Sequence, residues 1–536
     1  MKIRNIIFAL AIAAPALVSC NKFLDIDPSK STQKTLETAE QLDAILGSYS
    51  RFYSEYNHTA LACDDFGISP EIEDGGASFS PVSELAFILC DTRCTQTARL
   101  LWDGEYSKIY YANLVLSNID DVSGDQAYKD NLKAEAHFLR AYSMFQLALA
   151  YTLYYDGTNG DEPGLPLKQT TSFDESVARA NLADTWSFIE SDLQAALNGI
   201  TAPLVSGGKR RVWRGTTAAV HAFAARYYLY RGDYTNALAN VEAVLEETST
   251  LKDYNDPAQM SYFPRPDEYE INATTGTKET VEVYYPYTCL QFYGSNGFPE
   301  LFEWEELLFA RTCSYASWWY IPSEGLLDNY AVDLSEETPA EVAEELEDGQ
   351  VYDPRKNDRR FEFYICEDFS LRYCSHDPAF RYPGYCQFYY DNIISGPTVS
   401  EMLLIKAEIQ ARQGQFTEAM ETLRPLRAAR IRSDVDDSRF FTVSSQQEAV
   451  TKILQERRRE LAFTMRWYDI KRLNANEDTS DDVTIVKTFY PYNTSTVLSS
   501  EAPIEYRIEP GSRKFATPIP DVEITRSEGV IQQNTY

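Results

Sequence analysis

Hydrophobic positions recur at helical spacing over most of the chain. From Thr38 to Tyr53 the apolar residues fall on one helical face, and the same spacing continues from Trp102 to Ile119. The strongest such segment, Asn131 to Thr152, is rich in Ala and Leu and contains no Gly or Pro. Two further stretches, Ala183 to Leu197 and Thr216 to Tyr230, follow the same spacing. The pattern predicts a mainly helical protein.

Two segments repeat one arrangement of small, glycine and aromatic residues. The first is ARYYLYRGDYTNALANVEAVL around Gly232, and the second is AEIQARQGQFTEAMETLRPLR around Gly414. Small residues let two helices approach, Gly permits the turn, and an aromatic residue with Ala opens the second helix. This is the tetratricopeptide helix–turn–helix pattern. The copies lie about 180 residues apart, so we expect an interrupted scaffold of helix pairs, an α–α superhelix.

The interruption runs from 251 to 397, where helical periodicity weakens and Pro and Gly punctuate the chain. Strands are predicted near Glu279 to Tyr285 and at Leu307 to Phe309. The fold class predicted is therefore mainly α, a tetratricopeptide-like scaffold that carries a loop-rich, partly β variable lobe.

Aromatic residues concentrate in this lobe. From Tyr284 to Tyr320, 13 of 37 residues are Phe, Tyr or Trp, against 13% in the whole chain. A flat aromatic face can stack on the C–H face of a sugar ring while polar side chains bind its hydroxyls. Trp318, Trp319 and Tyr320 are consecutive and cannot all point into one core, so at least one of them is expected to face solvent. The candidate stacking residues are Trp318, Trp319, Tyr320, Trp304 and Tyr293.

One acidic pair is a further candidate. Asp64 and Asp65 follow a predicted helix and precede a Gly- and Pro-containing loop. They could bind a ligand's hydroxyl groups, or they could be the ordinary solvated start of a loop. Both interpretations stay open at the level of sequence.

The charge balance excludes one class of partner. The chain has 49 basic and 81 acidic residues and a net charge of −32. Such a surface repels phosphate backbones, so nucleic acid is not expected as a partner. It also argues against adsorption to anionic lipid through a basic patch.

The first twenty residues predict export and lipidation. Lys2 and Arg4 precede an apolar run from Ile6 to Leu17, which would span roughly 18 Å as a helix and is too short for a bilayer. A small residue directly before Cys20 is typical of a bacterial lipoprotein signal. An ordinary signal peptide with a chance cysteine is the alternative. We expect a signal over 1–19 and a lipidated tether over 20–31.

No catalytic framework is evident. The chain lacks nucleotide-binding, nucleophile-elbow and zinc-protease motifs, and it contains four His. Eight cysteines remain after Cys20, and their pattern allows disulfides or buried thiols. A zinc site at Cys366, Cys374, Cys386 and His376 fits no trusted ligand spacing. No metal, cofactor or catalytic residue is predicted.

Several phrases together resemble the SusD/RagB family of outer-membrane nutrient-binding lipoproteins. Phe23-Leu24-Asp25-Ile26-Asp27-Pro28 follows the lipoprotein cysteine, and an A-E-A-x-F-L-R-A helix occupies Ala134 to Ala141. A helix of the form R-R-x-E-L-A-F…R-W-Y-D-I-K-R spans Arg458 to Arg472, and a P-I-P…E-I…Q-N tail runs from Pro518 to Asn534. The family's usual Q-N-P-G-Y ending is shortened here to Gln533-Asn534-Thr535-Tyr536.

The resemblance implies a non-enzymatic protein on the outside of the outer membrane. Such a protein binds an oligosaccharide and caps a SusC-like, TonB-dependent β-barrel transporter. Peptide cargo, as on the RagB side of the family, is the alternative, and a surface glycosidase is a remote one. The implied regions are a SusD-like helical region at 32–250, the ligand lobe at 251–397 and a C-terminal RagB/SusD region at 398–536. The family shares no single sugar-binding motif, so no site residue carries over.

Overall fold

Antiparallel helix pairs make up most of the structure, a computed structural model. It describes residues 36–67, 96–258, 301–335 without 303 and 315–319, 351–366, 393–489 and 500–536, with shorter pieces between 260 and 286, 338 and 343, 383 and 387, and 492 and 497. The predicted mainly helical, tetratricopeptide-like fold class is confirmed. No helix in this described part is long and apolar enough to cross a membrane.

The helices, numbered in chain order, are α1 (Ala39–Leu46), α2 (Tyr49–Phe52), α3 (Thr59–Ala62), α4 (Gln96–Leu116), α5 (Gln126–Tyr151), α6 (Leu182–Gly199), α7 (Thr217–Tyr230), α8 (Tyr234–Glu247), α9 (Glu324–Asn329), α10 (Arg359–Tyr364), α11 (Val399–Arg412), α12 (Phe416–Arg430), α13 (Ser438–Phe441), α14 (Gln446–Glu460), α15 (Arg466–Leu473) and α16 (Asp521–Arg526). Short 3-10 turns lie at Pro354–Asn357, Thr479–Asp481 and Arg513–Phe515.

The strands are β1 (Ser54–Tyr56), β2 (Val205–Ser206), β3 (Lys209–Arg210), β4 (Tyr262–Arg265), β5 (Tyr269–Ile271), β6 (Lys278–Thr280), β7 (Val283–Pro286), β8 (Thr312–Ser314), β9 (Ile365–Cys366), β10 (Gly384–Tyr385), β11 (Ile393–Ile394), β12 (Ile485–Phe489), β13 (Tyr492–Asn493), β14 (Thr496–Val497) and β15 (Ile504–Ile508). The described sheets are small. β8 pairs in parallel with β1 and antiparallel with β11, and the other sheets are two-stranded antiparallel ribbons.

The two tetratricopeptide copies are neighbours in space. Helix α7 packs on α8, α11 packs on α12, and α8 packs against α11. The lobe that separates the copies in sequence therefore leaves the helical stack continuous. The predicted turn glycines are confirmed, because Gly232 has φ of 72° and Gly414 has φ of 84°, values at which a side chain is strained.

Three local predictions were wrong. Thr38 to Tyr53 is not one helix, since α1 ends before Gly47. Leu307 to Phe309 is not a strand; Leu307 forms a single bridge to Thr398, and the strand follows at β8. The helix predicted through Arg458 to Arg472 is broken between α14 and α15, where Phe463 has φ of 64°.

A network of buried ion pairs joins the C-terminal helices to the rest of the core. Glu456 on α14 lies 2.9 Å from Arg360, 2.8 Å from Arg427 and 3.0 Å from Arg459. Only Arg459 lies on the same helix; Arg360 comes from α10 and Arg427 from α12. Burial by itself would raise the pKa of Glu456, but the three guanidinium groups hold it well below its usual range.

Lys471 is buried, and no carboxylate among the described residues forms an ion pair with it. Its Nζ donates to the carbonyl of Leu149 at 2.9 Å and to that of Thr152, which ties α15 to the end of α5. Burial lowers the pKa of Lys471 to about 7. The unfolded chain, in which a lysine titrates near pH 10.4, therefore binds more protons than the folded protein above pH 7.

We expect the free energy of unfolding to rise between pH 7 and pH 9 because of this lysine. One depressed lysine contributes up to about 1.4 kcal/mol per pH unit between its folded and unfolded pKa values. The Lys471→Met variant should lose this part of the slope in urea titrations at pH 7, 8 and 9. Equal slopes for the two proteins would contradict the assignment.

Candidate functional site

A cavity of about 410 Å³ lies between α4, the loop that follows α5, and the C-terminal tail. We call it the aromatic groove. Its lining residues are Trp102, Asp103, Tyr106, Ser107, Tyr110 and Asn113 from α4, Pro166, Lys168, Thr170, Thr171, Ser172, Phe173 and Val177 from the loop, and Glu523 and Ile531 from the C-terminal segment. Its volume falls in the range of about 300–1,000 Å³ that small-ligand sites occupy.

Helical spacing aligns three aromatic rings along one wall. Trp102, Tyr106 and Tyr110 are four residues apart on α4, so they lie one above the other on one face. The rings of Trp102 and Tyr106 have centroids 4.9 Å apart, and Trp102 also packs edge-on against Tyr151 at 5.2 Å. Exposure increases along the wall, from buried Trp102 to Tyr110, which is 40% exposed.

The loop opposite this wall is fastened to α4 by hydrogen bonds. The Tyr106 hydroxyl donates to the Pro166 carbonyl at 2.9 Å. The Asn113 amide donates to the carbonyls of Lys168 and Thr170 at 3.1 and 3.2 Å, and it is itself oriented by Arg140, which donates to its Oδ1 at 2.7 Å. Burial raises the pKa of Tyr106, so its hydroxyl remains a donor at neutral pH.

The loop also holds its own shape, with Phe173 at its tip. Lys168 Nζ donates to the carbonyls of Glu175 and Ser176 at 2.8 and 3.1 Å, and the Glu175 carboxylate accepts from the backbone N–H of Gln169 at 2.8 Å. Phe173 is nevertheless 89% exposed. Tyr110, in the same lining, is also exposed, so two aromatic rings present apolar surface to solvent beside one cavity, and burying that surface against a ligand would be favourable.

The C-terminal tail forms the remaining wall. The Asn534 amide donates to the carbonyls of Tyr151 and Thr517 at 3.0 and 2.7 Å, and Arg179 donates to Asn534 Oδ1 at 2.9 Å. Gln533 exchanges two hydrogen bonds with the backbone of Ile519, at 2.8 and 2.9 Å. The Gln-Asn phrase near the end of the chain therefore anchors the tail beside Ile531.

The groove combines ring faces with hydroxyl and carboxylate groups at its edge. Aromatic faces suit a ligand with flat, apolar C–H surfaces, and Ser107, Thr171, Asp103 and Glu523 supply acceptors and donors for hydroxyl groups. This is the chemistry that a polyhydroxylated ring requires. In the described residues no group of three or more His, Cys, Asp or Glu side chains is placed to hold a metal ion.

Two of the predicted stacking residues lie in the core. Trp304 is buried, with its ring nitrogen donating to Glu306 at 3.2 Å and its ring 6.2 Å from that of Tyr254. Tyr320 is buried 5.1 Å from Phe463. Neither ring presents an open face, so we assign both a structural position and leave them out of the candidate site.

The acidic pair is not a solvated loop start. Asp64 accepts two hydrogen bonds from Arg466 at 2.7 Å, and Asp65 is fully buried, accepting from Arg458 at 2.6 Å and from the backbone N–H of Phe463 at 2.8 Å. Burial would raise the pKa of Asp64, but Arg466 and Arg458 hold it well below its usual range. The pair joins the N-terminal segment to the break between α14 and α15.

The other candidates lie outside the described residues. These are Trp318, Trp319 and Tyr293, together with Cys20 and the predicted signal and tether. Trp318, Trp319 and Tyr293 as stacking residues, and the lipidation of Cys20, stay predictions. Of the cysteines, Cys63 and Cys313 are buried free thiols, which agrees with one of the two alternatives for them.

The sequence predicted α4 as a helix, but its pattern did not mark α4 as the wall of a cavity. The spacing of Trp102, Tyr106 and Tyr110 was consistent with an ordinary buried helix face. An unbroken aromatic stripe at four-residue intervals was the signal that could have indicated a groove. Phe173 carried no sequence signal, because nothing local distinguishes an exposed aromatic from a buried one.

Comparisons with known proteins agree on one family. The sequence model described as "Starch-binding associating with outer membrane" matches residues 22–229, and that of the SusD family matches residues 399–536. Two SusD-like proteins of Formosa agariphila are each 23% identical to this chain, over 88% and 93% of it and 91% and 92% of their own lengths.

Solved structures share the fold at low identity. A SusD superfamily protein from Bacteroides thetaiotaomicron has a TM-score of 0.59 at 19% identity, covering 93% of this chain and 100% of its own. A SusD-like carbohydrate-binding protein from Bacteroides vulgatus has a TM-score of 0.58 at 17% identity, covering 92% and 97%. A laminarin-binding SusD-like protein has a TM-score of 0.54 at 17% identity, covering 93% and 99%.

Proposed function

The chain belongs to the SusD/RagB family, and from that premise we propose that it is a lipid-anchored outer-membrane protein that binds an oligosaccharide in the aromatic groove. It is a binding protein, not an enzyme. The bound oligosaccharide passes to a SusC-like, TonB-dependent β-barrel transporter, with the protein facing the cell exterior.

The observation that carries sugar binding is the composition of the groove. Exposed Tyr110 and Phe173 face a cavity whose edge is made of hydroxyl and carboxylate groups. Rigid aromatic side chains lose little conformational freedom on binding, and each stacked ring contributes about 0.5–1.5 kcal/mol beyond the area it buries. The family description as starch-binding and the laminarin-binding neighbour support the same ligand class.

Anchoring and delivery rest on other support. The lipoprotein pattern at Cys20 and the family description as associating with the outer membrane support the location. The transporter partner rests on the family resemblance alone. Tethering would keep each captured ligand at high local concentration above the barrel.

The two alternative functions, peptide binding and glycosidase activity, can each be distinguished by an experiment. Peptide cargo would appear as peptides, rather than sugars, in the material that co-purifies with the native complex. A surface glycosidase would shorten a polysaccharide during incubation with the purified protein.

We expect Phe173→Ala and Tyr110→Ala each to weaken binding about tenfold, since about 1.4 kcal/mol of stacking corresponds to tenfold in Kd. Isothermal titration of the full chain with laminarin and with soluble starch oligosaccharides measures this. These probes follow from the laminarin-binding neighbour and the starch-binding family description.

Tyr49→Ala is the matched control, because Tyr49 is 41% exposed, close to the 40% of Tyr110, and does not line the groove. It should leave Kd unchanged. Loss of binding in Trp318→Ala or Trp319→Ala, with the groove variants unaffected, would move the site to the variable lobe. Absence of binding to either sugar would contradict the choice of ligand.

A further inference from the structure

We infer that the aromatic groove selects uncharged oligosaccharides and rejects those that carry carboxylate or sulfate groups. The inference rests on the proposed function, because it concerns the ligand class of the same groove. It follows from the charges at the groove and from how each of them is already engaged.

Two carboxylates lie in the lining and face an incoming ligand. Asp103 stands on α4 beside Trp102, and Glu523 lies on α16 across the groove. Arg99 donates to one oxygen of Asp103 at 3.1 Å, and Arg526 donates to one oxygen of Glu523 at 2.9 Å. Neither arginine is part of the lining, so the lining contains the negative member of each pair and not the positive one.

The lining also contains one cation, Lys168, which is occupied by the loop. Two of its three N–H groups donate to the carbonyls of Glu175 and Ser176. An anionic sugar that pulled this ammonium group away from those carbonyls would loosen the loop that positions Phe173. These hydrogen bonds make Lys168 a structural tie of the loop and limit how far its ammonium group can turn toward an anion.

The next cation, Arg179, is engaged in the same way. It donates to the carbonyls of Gly164 at 2.7 Å and Gln532 at 2.9 Å, and to Asn534 Oδ1 at 2.9 Å. Its hydrogen bonds hold the loop and the tail together behind the groove. Recruiting it to a ligand would dismantle the wall that contains Ile531.

A further exposed carboxylate, that of Asp174, adds negative charge near the groove. Asp174 is exposed directly beside Phe173, at the loop tip. The whole chain carries a net charge of −32, so its long-range field also disfavours an approaching anion. A neutral sugar is not repelled by these charges, and its hydroxyl groups can donate hydrogen bonds to the carboxylates of Asp103 and Glu523.

The test compares one sugar in two charge states. The full chain is titrated with a laminarin oligosaccharide and with the same oligosaccharide oxidised at its primary alcohols to carboxylates. A maltooligosaccharide pair treated in the same way repeats the comparison. We expect the oxidised form to bind at least about tenfold more weakly at about 20 mM salt. The Kd of the oxidised sugar divided by the Kd of the neutral sugar should be smaller at about 500 mM salt, because the Debye length is then about 4 Å instead of about 20 Å.

Charge variants locate the effect. In the Asp103→Asn, Glu523→Gln double variant, the ratio of the Kd for the oxidised sugar to the Kd for the neutral sugar should fall at least about threefold. The Glu246→Gln, Glu418→Gln double variant changes net charge equally at two exposed positions outside the lining, and should keep the wild-type ratio.

The outcomes separate this inference from the proposed function. Equal or tighter binding of the oxidised sugar, with Phe173→Ala still weakening sugar binding, would overturn the selectivity and leave the sugar site standing. An equal fall of this Kd ratio in both double variants would also overturn the inferred selectivity, since the effect would then come from the net charge of the protein and not from the groove. If neither form binds, or if Phe173→Ala has no effect, the proposed site and this inference fail together.

Discussion

Replacing Glu456 with Gln is expected to destabilise the protein by about 3 to 5 kcal/mol. The side chain is fully buried between three arginines, and the substitution keeps its shape while removing its charge. Removing one partner of a buried ion pair leaves the other charges uncompensated in a medium of low polarity, which costs about this much. Urea unfolding followed by tryptophan fluorescence measures the change.

The control for this substitution is Glu421→Gln. Glu421 also pairs with an arginine, Arg424, at 2.6 Å, but both side chains are more than half exposed. Water replaces the lost partner there, so no measurable change in unfolding free energy is expected. Similar losses in the two variants would show that the buried network contributes no more than surface pairs.

Substituting Gly396 by Ala is the second large effect, a loss of about 3 kcal/mol or more. A Cβ at this position would lie 1.9 Å from the carbonyl oxygen of Phe309 and 2.9 Å from the backbone nitrogen of Arg311. Both are backbone atoms, which cannot rotate away. The N–H groups of Ser395 and Gly396 also bond to the Arg311 carbonyl, so the junction between β11 and α11 must move as a unit.

Gly104→Ala is the matched control, because Gly104 lies inside α4 and a methyl group added there would have nothing within 4 Å. Ala is favoured over Gly in a helix interior by about 1 kcal/mol, so this variant should be as stable as the native protein or more so. Midpoints of urea unfolding compare the two glycine variants. A Gly396→Ala protein with the native midpoint would refute the predicted clash.

Local patterns were sufficient for the long helices α5 to α7 and for the two repeat turns. The apolar spacing of α5 and the glycines at 232 and 414 depend on interactions within a few residues, so they can be read along the chain. The break between α14 and α15 could not, because Arg458 and the backbone of Phe463 are held by Asp65, nearly 400 residues away in sequence. A tertiary contact overrode the helical pattern there.

The candidate site also depends partly on local sequence and partly on tertiary contacts. Its aromatic wall lies on one helix and was visible as a spacing, but the groove exists only where that wall meets the loop around Phe173 and the tail around Ile531. Trp304 and Tyr320, chosen from the same aromatic density, are buried in the core. Aromatic density in sequence predicts that rings are present, and only packing decides which of them face solvent.

The helical class, the repeat pattern, the acidic charge balance and the family resemblance were all predictable before the structure was known, because composition and short-range periodicity are properties of the chain alone. The tertiary structure decided that the two repeats adjoin, that the acidic pair and the arginines of α14 form buried ion pairs, and that an open groove lies beside α4. These features depend on which distant segments exclude water from one another, and no local pattern records that choice.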